Sequence, residues 1–73
     1  MITRAFFPNP RFNFMSYSNG QLTISFKRGN ERVYECEPSL AYELYYCSNS
    51  SAELSVYANK IKGKLKVLNV KQV

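Results

Sequence analysis

"SNGQLTISFKRGNERVYEC", residues 18–36, decides the fold. Leu22, Ile24 and Phe26 alternate with Thr23, Ser25 and Lys27. One face of this run is therefore apolar and the other polar, the pattern of a half-buried strand. Asn19-Gly20 stands just before it, and Asn-Gly marks a hairpin because a type I′ turn needs positive φ at both central residues. Gly29-Asn30 supplies a second turn, and "RVYEC" a further strand with Tyr34 and Cys36 on one face and Val33 and Glu35 on the other. Upstream, "FNFMSY" (residues 12–17) is rich in strand-favouring aromatics and ends on the first turn. The three runs predict a three-stranded antiparallel meander.

Downstream, Pro38 suits the first turn of a helix, where its missing N–H is not needed. Leu40, Leu44 and Cys47 then share a face with Ala41 beside them, and Tyr42 and Tyr46 fall on the opposite side. Ser48-Asn49-Ser50 breaks that helix. Ser50 followed by Glu53 reads as a capping box. Leu54, Tyr57, Ala58 and Ile61 continue as one helical stripe. Lys60 and Lys62 oppose the negative end of the helix dipole, and Gly63 stands where a left-handed C′ residue belongs. "KLKVLNV", residues 64–70, is left as a fourth, shorter strand. The lysines at 60, 62, 64 and 66 also alternate with Ile61, Gly63, Leu65 and Val67. A continuous strand is thus the competing reading of residues 59–71, and the capping residues favour the split. The expected fold is α+β: a three-stranded antiparallel meander followed by two short helices and a final short strand. Its expected core is Leu22, Ile24, Phe26, Leu40, Leu44, Leu54 and Ile61.

Seventy-three residues allow one small domain, read as residues 12–73, preceded by an N-terminal arm of residues 1–11 in which Pro8 and Pro10 forbid a central strand. Ala5, Phe6 and Phe7 are too short an apolar run for a signal peptide, and no stretch is long enough to cross a bilayer. A cytoplasmic protein with no membrane partner is expected, with Cys36 and Cys47 as reduced core thiols. With no His and no CxxC pair, neither a zinc site nor any other cofactor is expected.

The middle of the chain resembles the KTSC domain, a small module first noted at the C-terminus of some lysyl-tRNA synthetases and found alone in bacteria and phages. Met15-Ser16-Tyr17 stands for its V-x-Y strand, and Leu22, Ile24, Phe26 and Gly29 for L-x-V-x-F-x-x-G. Tyr34 with Cys36 takes the place of Y-x-Y. Pro38, Leu40 and Leu44 occupy the proline-started helix, and Asn59, Ile61 and Lys62 resemble the late F-N-x-x-I-R segment with one residue missing. The resemblance spans residues 12 to about 64. Serines around Ser50 and Ser51 stand where the family has a small loop glycine, and the tail from Leu65 to Val73 is an addition. Attachment to a tRNA enzyme implies RNA as a ligand.

Catalysis finds little support. No His offers a general base near neutral pH, and neither cysteine sits in a thiolate-stabilising motif. Each of Gly20, Gly29 and Gly63 is explained by a turn or cap rather than by a phosphate loop. A non-enzymatic binding module is expected. Ten Lys and Arg against five Asp and Glu leave a net charge of +5, which favours an anionic partner. Lys27, Arg28 and Arg32 flank the second turn, and Lys60, Lys62, Lys64 and Lys66 form a late cluster. These seven are the candidate nucleic-acid contacts, with RNA favoured over DNA. The alternative is a protein partner, or a homodimer, held through Tyr42 and Tyr46, unless the protein's own arm around Phe6 and Phe7 covers that pair.

Overall fold

The computed structural model describes residues 2–72. Five strands form one antiparallel sheet in sequence order: β1 (Ile2–Ala5), β2 (Phe12–Ser18), β3 (Gln21–Phe26), β4 (Asn30–Glu35) and β5 (Val67–Gln72). Two helices, α1 (Pro38–Tyr45) and α2 (Ser50–Val56), lie between β4 and β5, and α2 runs on into a π-helical turn, Tyr57–Ile61. The class is α+β, but the meander has four strands before the helices rather than three. The additional strand comes from the segment read as an arm. Pro8 and Pro10 stop a strand only locally, and Ile2–Ala5 lies far enough upstream to pair antiparallel with β2, Ile2 opposite Tyr17 and Ala5 opposite Phe14.

The Asn19-Gly20 hairpin forms as expected: Ser18 pairs with Gln21, and the two turn residues have φ of 51° and 77°. Alternation then directs Met15, Tyr17, Leu22, Ile24 and Tyr34 to the face covered by the helices, where they form one core with Ala41, Leu44, Tyr57 and Ile61. Leu22, Ile24, Leu44 and Ile61 are fully buried as expected, whereas Phe26, Leu40 and Leu54 are only partly buried at its margin.

A bulge changes the aromatic content of that core. Strict alternation from Met15 would turn Asn13 inward. Instead Phe12 pairs with Phe26 and Phe14 with Ser25, so Asn13 is the additional residue and Phe12 swings inside. Phe12 then packs on Phe6 (4.9 Å between centroids), Tyr57 (5.0 Å) and Phe26 (5.5 Å).

The lysine-rich stretch divides between two elements. The π-helical turn closes with the Lys62 N–H donating to the Tyr57 carbonyl, and Gly63 follows with φ 71°. β5, however, begins at Val67, later than expected, and is the fifth strand rather than the fourth. Lys64 and Leu65 are still tied to the Ile61 carbonyl, which holds this segment in a turn. No helix is long and apolar enough to cross a membrane among the described residues.

Candidate nucleic-acid interface

Three arginines from two separate parts of the chain line one cavity at one end of the sheet. The β3–β4 turn carries Arg28, β4 carries Arg32, and the segment before β2 carries Arg11. Together with Pro10, Phe26, Asn30 and Tyr57 they line a cavity of about 560 Å³. Phe26 and Tyr57 meet edge-on at 5.9 Å between centroids, and the Arg32 guanidinium lies 5.5 Å from the Phe26 centroid. Among the described residues, no acidic side chain lines the cavity. The period of the strand explains why: Glu31 neighbours Arg32 in sequence but points to the other face, opposite Ser25 and Lys71.

The position of Arg11 is set by hydrogen bonds that begin at a buried carboxylate. Asn49, not Ser50, caps α2, its side chain accepting from the Ala52 N–H at 2.8 Å. The expected Ser50–Glu53 capping box therefore does not form, and Glu53, the fourth residue after the cap, is fully buried. There it pairs with Arg4 and accepts from the Phe7 N–H (3.1 Å) and the Asn9 side-chain amide (3.3 Å). Asn9 in turn accepts from the N–H groups of Arg11 (2.9 Å) and Phe12 (2.7 Å). The Arg11 carbonyl accepts from the Lys27 N–H at 2.8 Å, which closes the loop onto the β3–β4 turn.

Next to Tyr57 and Arg32, Tyr34 is buried, and among the described residues its hydroxyl has no hydrogen-bonding partner in good geometry. Burial, followed by the nearby Tyr57 side chain, pushes its pKa up to about 12, and the Arg32 guanidinium opposes that rise. The thiols are also held protonated, by burial first. Glu37 adds to the rise at Cys36, and Glu53 adds to it at Cys47. Both cysteines are free.

Of the residues singled out by charge, Arg28 and Arg32 line the cavity, and Lys27 is exposed in the same turn. The late lysines lie elsewhere. Lys60 is paired with Glu43 at 2.6 Å, and Lys62, Lys64 and Lys66 are exposed around the turn into β5. That turn meets the far end of β4, where the Glu35 N–H donates to the Lys66 carbonyl, whereas Asn30 at the other end pairs with Gln72. About 17 Å of strand therefore separates the two basic regions. Arg11 and Tyr57 carried no signal of their own, since one lay in the supposed arm and the other in a helical stripe.

Tyr42 and Tyr46 stack on each other at 6.2 Å and 16°, with exposures of 46% and 72%. Tyr45 meets Tyr46 edge-on at 5.0 Å. The arm does not stack on this pair among the described residues: Phe6 is packed on Phe12, and Arg4 lies over Phe7. No family model, curated protein or solved structure matches the chain.

Proposed function

We propose that the protein is a non-catalytic cytoplasmic module that binds nucleic acid, RNA in preference to DNA, through a basic surface centred on the arginine-lined cavity. The observation that carries this reading is that Arg11, Arg28 and Arg32 line one cavity together with Phe26 and Tyr57, with no acid in its lining among the described residues. Guanidiniums contact phosphates in a way that any sequence satisfies, and they also stack on bases. A concave site of this size suits an unpaired nucleotide splayed from its strand rather than the groove of a duplex, and unpaired bases are what sequence-reading RNA modules grip. The late lysines extend the positive surface at the other end of β4. Membership of the KTSC family belongs to the same proposal.

Fluorescence anisotropy with short single-stranded RNA, single-stranded DNA and duplex RNA tests this reading. The order expected is single-stranded RNA, then single-stranded DNA, then duplex. No binding of any of them at low salt removes the proposal.

A second reading rests on the stacked, exposed Tyr42–Tyr46 pair. Two rigid amphipathic rings held together on one helix face suit a protein partner or a second copy of this chain. Replacing both with Ser should abolish partner capture or self-association and leave the thermal midpoint nearly unchanged. A falling midpoint would mean that the pair supports the fold instead.

A further inference from the structure

We infer that the arginine-lined cavity seats a terminal phosphate, the phosphomonoester of a nucleoside whose sugar carries a planar base, in preference to the internal diesters of a strand. This rests on the nucleic-acid reading and names which part of the ligand the cavity takes. Charge is the first argument. An internal diester carries a single negative charge, whereas a monoester carries about −1.5 to −2 at neutral pH and offers three free oxygens. Three arginines around one cavity exceed what one diester can neutralise, and a monoester, with up to twice the charge and three free oxygens, offsets more of that excess. None of the three takes part in an ion pair among the described residues, where the ion pairs are Arg4–Glu53 and Lys60–Glu43, although the Arg32 guanidinium lies close enough to the Tyr34 hydroxyl to act on it.

Shape is the second argument. The volume of about 560 Å³ lies in the usual range for small-molecule sites. Pro10, Phe26 and Tyr57 give the cavity an apolar wall beside the cations, so a flat ring and an anion can be held together. Preorganisation is the third. The backbone of Arg11 is held by Asn9 and Lys27, and Arg32 already lies over Phe26. The side chains of Arg11 and Arg28, both exposed, are what the ligand still has to order.

The test compares one short RNA with a 5′-phosphate, the same RNA with a 5′-hydroxyl, the same RNA with a 3′-phosphate, and adenosine monophosphate. All are titrated into the full chain at fixed salt. A terminal phosphate should tighten binding about ten-fold or more, the worth of one additional charge-assisted hydrogen bond. That preference should vanish in Arg28→Gln, a change in an exposed turn, and in Arg32→Gln. Tight binding of adenosine monophosphate alone would support the inference with a free mononucleotide as the ligand. Preference only for the phosphorylated strands would support it with a chain end as the ligand. Equal affinity for phosphorylated and hydroxyl-ended RNA overturns this inference and leaves the nucleic-acid reading standing. No RNA binding at low salt, with none by the mononucleotide, overturns both.

Discussion

Glu53 shows how a single residue links the fold to the site. A carboxylate this deeply buried is tolerated only because Arg4, the Phe7 N–H and Asn9 satisfy it. Glu53→Ala leaves Arg4 and two amide donors without their acceptor and should cost about 3–5 kcal/mol, read as a fall in the urea midpoint. Asn9→Ala should cost less and should weaken RNA binding as well, because it frees the backbone that carries Arg11. The sequence placed Glu53 in a capping box, because Ser50 and Glu53 have the right spacing. Nothing local distinguishes a carboxylate that caps its own helix from one that holds a strand more than forty residues away. Tyr34 offers a different test. Its hydroxyl is buried without a partner, so Tyr34→Phe should leave stability unchanged or raise it by about 1 kcal/mol. Its folded pKa of about 12 lies above the ordinary value of 10.0. The protonated hydroxyl's contribution is thus complete below pH 10 and is lost as pH rises through about 12, since the unfolded chain gives up the proton first. Alkaline denaturation should accordingly begin at higher pH in Tyr34→Phe than in the parent.

Among the elements, the Asn19-Gly20 hairpin and the helix begun by Pro38 were legible because turn chemistry and periodicity agree there. β1 was not, because two prolines nearby masked a short strand, and neither was the bulge at Asn13. The residues that resemble the KTSC pattern, Leu22, Ile24, Phe26, Gly29, Tyr34 and Cys36, are mainly core and turn positions of β3 and β4. They speak to the fold more than to the ligand. Deleting residues 1–9 removes β1, the buried Phe6 and Asn9 together. It should abolish the cooperative thermal transition, whereas loss of a dispensable arm would lower the midpoint by only a few degrees. Gly63 terminates the π-helical turn with φ 71°, and a Cβ there would meet nothing within 4 Å. Gly63→Ala should therefore cost only the backbone strain, about 1 kcal/mol.

Across the whole molecule, positive charge gathers at two ends of one strand. The sequence marked both regions by charge density alone and could not rank them. The β3–β4 turn and the late lysine cluster look equivalent until the fold adds Arg11, Phe26 and Tyr57 to the first and ties Lys60 of the second to Glu43. One measurement separates them. The logarithm of the affinity for single-stranded RNA is followed against the logarithm of salt concentration in the parent, in Arg28→Gln/Arg32→Gln, and in Lys62→Gln/Lys64→Gln/Lys66→Gln. Binding centred on the cavity predicts that the arginine variant loses most of the affinity and that its slope becomes shallower by about 0.7 for each phosphate it no longer neutralises, with a smaller change in the lysine variant. An unchanged slope in the arginine variant, with the lysine variant flattened, would contradict the cavity as the centre of binding.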